Sequence, residues 1–162
     1  REWLDLLLDP AHIDGTNFFG NTRFKEGKMA RFVKRTVAGF DDLQKGQLKK
    51  VVIALSAEAQ LPYQADLDQA DTALIEEGRV LARSDDMRCI ECHQFRQPDE
   101  DATAPDLTGY GSQDWLVAFI KNPAHERFYG RRNDRMPIFG EDGKLDDESI
   151  AAIAHWLRAA HE

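Results

Sequence analysis

The chain of 162 residues is poor in several things at once, and each shortage excludes something. It has only two cysteines, so a disulfide-stapled scaffold is excluded. It has no long apolar run: the longest, Trp115 to Ile120, is far too short to span a bilayer. Basic residues are outnumbered, 21 Lys and Arg against 29 Asp and Glu, for a formal net charge of −8. Nucleic acid is therefore not an expected partner, since binding it needs a basic footprint. The acids are spread along the chain and read as a solvated surface, with a basic redox partner as the sharper alternative. No signal peptide opens the sequence: Arg1 leads directly into "REWLDLLLDP", a pattern expected inside a folded protein. The expectation is a processed or excised piece of something longer.

What is present is concentrated in "MRCIECHQF", Met87 to Phe95. Both cysteines stand there, three positions apart, with a histidine directly after the second. A disulfide between Cys89 and Cys92 closes a tiny loop and restrains little of the unfolded chain. A thioredoxin-like site needs a βαβ setting, and no strand pattern lies near Cys89. A structural zinc site needs four ligands, and Cys89, Cys92 and His93 supply at most three. The remaining explanation uses all three residues. Cys-x-x-Cys-His is the c-type haem attachment signature, in which two thiols add to the haem vinyl groups and the histidine reaches the iron.

A second axial position then needs an occupant or stays open. "NDRMPIFG" places Met136 before Pro137, which fixes its own φ and holds the preceding residue extended. Core gap-filling is the ordinary work of methionine. Beside the upstream Cys-x-x-Cys-His, the ligand reading of Met136 is preferred. The alternative is an open distal site in a haem enzyme or gas sensor, with Arg131, Arg132 and Arg135 near the Met136 loop.

Residues 68 to 162 resemble a class I cytochrome c domain. The matching pieces run in order: a helix with Gly78, Val80 and Leu81, then "CIECH", "APDLTGYGS", "SQDWLVAFIKNP", "RMPIFG" and "LDDESIAAIAHWLRAAHE". The wording "APDLTGYGS…DWL…NPAH…FYG…DRMP" is similar to cytochrome c modules attached to bacterial quinol:cytochrome c oxidoreductases. The resemblance implies an all-α, cytochrome c-like fold around one covalently bound haem c, held by Cys89 and Cys92 and ligated by His93 and Met136. It implies that the Pro105 carbonyl accepts from Nδ1 of His93, and that Tyr110 and Trp115 donate to haem propionates. Ile138 and Phe139 would wall the haem edge. The first helix would cross the last at Gly78, under Trp156 or Leu157. Glycine there costs about 1 kcal/mol of helix stability relative to alanine, which a close helix approach would explain.

Local signals support the helices independently. Ser112 is a fair N-cap, Trp115, Phe119 and Ile120 make an apolar stripe, and Pro123 ends the helix. Asp146 or Asp147 caps the last helix, with Ile150, Ile153, Ala154 and Leu157 at helical spacing.

The first sixty residues contain a repeat of this second half. Trp3, Pro10 and His12 answer to Trp115, Pro123 and His125; "FFG" at Phe18 to Gly20 answers to "FYG" at Phe128 to Gly130. "LQKGQLKKVVIALSAEA" from Leu43 resembles "LDDESIAAIAHWLRAAH" from Leu145. Residues 1–58 therefore read as an incomplete helical lobe, the rear half of a second cytochrome c domain without its own CxxCH. Residues 59–67 read as a linker. Met29 stands roughly where Met136 stands in the other copy, but no proline follows it. It is a candidate ligand only if a haem segment precedes Arg1, and a second haem is expected only then. His12 and His125 are expected to cap or hydrogen-bond, and His155 and His161 to be solvated.

The functional expectation is electron transfer by one haem iron cycling between Fe(II) and Fe(III). Partners would be redox proteins: quinol oxidoreductase subunits, a mobile cytochrome or a terminal oxidase. The implied compartment is the bacterial periplasm or the extracytoplasmic face of a membrane, with membrane contact only through a partner or an anchor upstream of Arg1.

Overall fold

A computed structural model describes residues 1–159; His161 lies outside the described residues. The chain is helical, and no strand occurs among the described residues. One isolated bridge joins His93 and Ala104. The helices are α1 (Glu2–Leu7), α2 (Lys28–Arg35), α3 (Asp42–Glu58), α4 (Ala65–Ala70), α5 (Thr72–Ala82), α6 (Gln113–Lys121) and α7 (Asp147–Leu157).

The helix ends follow local chemistry. Asp41 accepts from the Gln44 N–H at 2.8 Å while the Gln44 side chain accepts from the Asp41 N–H, a reciprocal box that starts α3. Ser112 accepts from the Trp115 N–H at 3.2 Å and starts α6. Asp146, rather than Asp147, accepts from the Ser149 N–H and starts α7. Each cap satisfies an amide that a helix end leaves unpaired.

Two helix pairs organise the packing: α3 lies along α5, and α6 against α7. The larger core gathers Leu8, Ile13, Val33, Phe40, Val51 and Leu55 from the first sixty residues with Ala82, Met87 and Phe95 from beyond them. A smaller cluster holds Ile120, Ile150 and Ala154, with Met136, Phe139 and Leu145 packed on it. The larger core therefore spans the expected boundary near 59–67. That segment is not an open linker either. Pro62–Gln64 form a 3-10 turn that runs into α4, and buried Gln64 accepts from Ser56 and donates to Asp68.

The helix crossing at Gly78 is real, but its partner differs from the one expected. A Cβ on Gly78 would collide with the Lys50 carbonyl and stand 2.8 Å from Cβ of Ala54, both on α3. The last helix is not there; Trp156 and Leu157 are largely exposed. The physical reason is that α3 and α7 are copies of one pattern, and α3 presents the smaller residue, Ala54, where α7 has Trp156. The apolar stripe of α7 is accordingly half used: Ile150 and Ala154 are buried, Ile153 and Leu157 exposed.

The two matching segments share local geometry. Trp3 meets Phe18 at 5.7 Å between ring centroids, and Trp115 meets Phe128 at 5.1 Å. The turns at "FFG" and "FYG" share a bonding pattern. Phe19 N–H donates to Ile13 and Gly20 N–H to Gly15; Tyr129 N–H donates to Pro123 and Gly130 N–H to His125, all at 3.2 Å.

Gly78→Ala tests the crossing. Alanine favours an isolated helix by about 1 kcal/mol, yet overpacking this contact should cost about 1–3 kcal/mol. The expected net result in urea unfolding is a lower midpoint with an unchanged slope. A midpoint that rises would mean that α5 does not approach α3 this closely.

Candidate cofactor-attachment site

The site begins where α5 ends. Arg88 adopts a left-handed conformation (φ 57°), which turns the chain after fully buried Met87. Its guanidinium pairs with Glu91 through two bonds, 2.7 and 2.9 Å, across the turn that follows. That turn is a 3-10 helix, Cys89–Glu91. It brings Cys92 N–H and His93 N–H onto the Cys89 carbonyl at 3.3 and 3.0 Å. Both thiols are free and half-buried. Burial pushes the Cys89 thiol up to about 11, so it is protonated at neutral pH.

His93 is held by its inner nitrogen. Nδ1 lies 2.7 Å from the Pro105 carbonyl, which can only accept, so Nδ1 carries the proton. Burial lowers the imidazole pKa, against the opposing pull of this bond and of nearby Asp106, and keeps the ring neutral. Nε2 then holds a free lone pair with no hydrogen-bond partner among the described residues. This is the tautomer and orientation that a metal-ligating histidine needs.

Two loops carry that geometry. The Cys92 carbonyl accepts from Thr103 and Ala104 N–H at 2.9 and 3.0 Å, and the Gln94 carbonyl from Leu107 N–H at 2.9 Å. Asp106, buried beside Pro105, accepts from Thr108 N–H and from Arg127 Nε, while its own N–H donates to the Arg127 carbonyl. The deeper anchor is Glu58, the last residue of α3. Its carboxylate is almost wholly buried. Oε1 accepts from Arg96 at 2.7 and 3.0 Å and from Arg79 at 3.2 Å; Oε2 accepts from Gly109 N–H at 3.0 Å. One carboxylate thus fastens α5, the segment after His93 and the loop after Pro105 to the end of α3. Sequence reasoning missed Glu58, since nothing in "LSAEAQ" marks it as buried. Asp106 carried a readable signal: Asp-x-Thr is the pattern in which the side chain accepts the amide two residues on.

The remaining expected site residues divide. Trp115 is buried, and its only donor, the indole N–H, is committed to the Asp106 carbonyl at 3.0 Å. It is therefore not free for a propionate, and the expectation for Trp115 is corrected: it braces the loop behind Pro105. Tyr110 packs edge-on to Trp115 at 4.9 Å, and burial, with the neighbouring Tyr129, pushes its hydroxyl up to about 12. It remains a protonated donor. Met136 and Phe139 pack on the smaller cluster of the α6–α7 pair, and Ile138 between them in sequence is half-buried. Cys89 and Ile90 pack on the larger core, together with Met29. His12 bonds Asp9 at 2.7 Å and His125 accepts from Arg127 N–H at 3.2 Å; His155 is exposed.

The donor set fits a covalently held haem. Two free thiols stand at either end of a single turn, next to a neutral imidazole with an unpaired outer nitrogen, at the edge of an apolar core. No group of three or more metal-ligating His, Cys, Asp or Glu side chains converges among the described residues. No protein-family model, curated protein or solved structure matches the chain.

Glu58→Ala tests the anchor. Removing one partner of a buried ion pair costs roughly 3–5 kcal/mol. Here Arg79 and Arg96 are partly exposed and can rehydrate, so about 2–3 kcal/mol is expected by urea unfolding. A loss under about 0.5 kcal/mol, the range of ordinary surface changes, would mean that the carboxylate does not hold these loops.

Proposed function

We propose that this protein is an electron-transferring c-type cytochrome. The observation that carries the reading is the joined geometry of Cys89, Cys92 and His93, with His93 Nδ1 held by the Pro105 carbonyl. The resemblance to class I cytochrome c, and to the modules of bacterial quinol:cytochrome c oxidoreductases, supports the same reading with further segments, "SQDWLVAFIKNP" and "RMPIFG".

In this reading Cys89 and Cys92 would hold one haem c through thioether links, and His93 would offer Nε2 to its iron. When bound, the haem supplies an iron that takes up and releases one electron. The protein's own work is positional and electrostatic. The Pro105 carbonyl fixes the ring plane of His93 and increases its ligand strength. Met136, by the resemblance, would supply a thioether sulfur to the iron, a ligand that raises the reduction potential and leaves no open site for a substrate. Phe95 is buried in the larger core next to the attachment turn, and half-buried Ile90 and Leu107 pack on that core. The all-α frame built on α3 and α5 holds these groups still, so that little rearrangement accompanies the electron.

Donor and acceptor are redox proteins, by the resemblance a quinol-oxidising complex on one side and a mobile cytochrome or terminal oxidase on the other. The acidic surface steers a basic partner, an attraction that salt weakens. Maturation of covalent haem puts the protein in the periplasm or on the extracytoplasmic face of a membrane. Among the described residues no helix is long and apolar enough to cross a membrane, so membrane attachment in this reading runs through a partner or another segment.

The test is the visible spectrum of the dithionite-reduced protein, made in cells that mature c-type cytochromes, with and without carbon monoxide. The expected result is a c-type spectrum that the gas leaves unchanged, with haem that stays on the denatured polypeptide. Cys89→Ala and Cys92→Ala should each lose one thioether, read as a shift of the pyridine haemochrome band. Haem that is extracted by acid acetone from the parent protein would sink the proposal.

A further inference from the structure

The loop that carries Met136 is fastened downstream by its own half of the chain. Gly140 N–H donates to the Lys121 carbonyl of α6 at 3.1 Å, and the Phe139 carbonyl accepts from Lys144 and Leu145 N–H at 2.9 and 3.0 Å. A Cβ on Gly140 would collide with Lys121, so this end is closely seated.

The upstream end is held by the first lobe. Arg23 donates to the Arg132 carbonyl at 2.8 Å, and its Nε lies 3.6 Å from the Asp134 carboxylate. Arg135 donates in return to the Asn21 carbonyl. The contact joins equivalent places in the repeat: residues 21–23 follow "FFG", and residues 131–135 follow "FYG". The same loop is also tied to the segment behind His93. Arg132 donates to the Thr103 carbonyl, Lys28 of α2 donates to the Thr103 hydroxyl at 3.3 Å, and Thr103 N–H donates to the Cys92 carbonyl at 2.9 Å.

These ties reach Met136 through the backbone. The Asn133 side chain donates to the Met136 carbonyl at 2.7 Å, and Pro137 restricts the backbone of residue 136. Whatever fixes residues 132–135 therefore fixes where the thioether side chain starts. The Arg23 side chain is 55% exposed, so its ion pair with Asp134 adds little to global stability. Holding a loop in one of two positions needs less. A tenfold shift in population is about 1.4 kcal/mol, within reach of one hydrogen bond from a charged group.

We propose, resting on the haem reading with Met136 as the second ligand, that the first lobe is a latch on that ligand: Arg23 holds the upstream end of the loop and favours the bound position of the Met136 thioether. Arg23 is a positioning residue, acting through the loop. The first sixty residues carry no attachment motif of their own, and the latch gives them a part in the function of the second half.

The experiment compares the full holoprotein with Arg23→Ala, Arg23→Lys and Arg31→Ala. Arg31 is an exposed cation of α2 with no bond to the loop among the described residues, so its variant matches the loss of charge. The first readout is the affinity of the oxidised protein for added imidazole, which takes the iron only where the thioether has left it. The second is amide hydrogen exchange over residues 130–137, read by mass spectrometry, which needs no electron transfer. In Arg23→Ala imidazole should bind about tenfold more tightly and exchange over 130–137 should quicken. Arg23→Lys keeps one donor and should fall between. Arg31→Ala should match the parent in both. The urea midpoint of Arg23→Ala should stay close to the parent's, as for a surface change, which separates the latch from general loosening. Unchanged imidazole affinity in Arg23→Ala overturns the proposal, even with faster exchange, and so does an equal gain in Arg31→Ala. Should Arg23→Ala fail to fold, Arg135→Ala removes the Asn21 bond from the loop side and carries the same expectation. A reduced parent that binds carbon monoxide at once overturns Met136 as the ligand, and the latch with it, while leaving the attachment reading intact. A protein without covalent haem ends both.

Discussion

The close approach of α5 to α3 is the contact on which the rest of the structure depends. It is possible because residue 78 has no side chain and residue 54 has only a methyl group. With the backbones that near, the end of α3 reaches the loops beyond α5, and Glu58 can be buried against Arg79, Arg96 and the Gly109 amide. A buried carboxylate is tolerable only when such partners surround it. Once Glu58 is in place, the segment after His93 and the loop after Pro105 are pinned to one point. His93 Nδ1 then meets the Pro105 carbonyl, and Nε2 is left without a hydrogen-bond partner among the described residues. The line from Gly78 to the His93 ring passes through three elements without a gap.

The second repeat copy supports this site from behind. Trp115 of α6 and Arg127 beyond it converge on Asp106, one by an indole N–H, the other by a guanidinium. Arg158, at the end of α7, bonds the carbonyls of Ala59 and Gln60, just past the end of α3. The two copies share a ring pair and a turn, yet their C-terminal helices have different fates. In α3 the apolar positions Val51, Val52, Ala54 and Leu55 are buried, whereas α7 leaves Ile153, Trp156 and Leu157 exposed. A pattern that is repeated in sequence need not be repeated in burial, because burial depends on which copy the single α5 helix covers.

Much of the fold was legible in the residues themselves. The starts of α6 and α7 followed from Ser112 and Asp146, and the end of α6 from Pro123, since a cap acts within three positions of itself. That Cys89, Cys92 and His93 stand together on one turn was legible for the same reason, since they lie within five positions of each other. The Pro105 bond to His93 came through the resemblance, and the structure contains it at 2.7 Å. Glu58 was not legible, because a carboxylate on a helix end looks solvated until distant arginines are seen to surround it.

By itself, the sequence determined an all-helical chain, its caps, the turn that presents two thiols and a histidine, and the existence of an internal repeat. All of these rest on interactions between residues a few positions apart. Only the tertiary structure decided which copy of the repeated helix Gly78 crosses, and with it that Met29 rather than Met136 packs on the same core as Cys89. That choice lies between two segments of similar pattern, so spacing alone is degenerate. Here it turned on the volume of a single side chain, the methyl of Ala54 where the other copy carries the indole of Trp156.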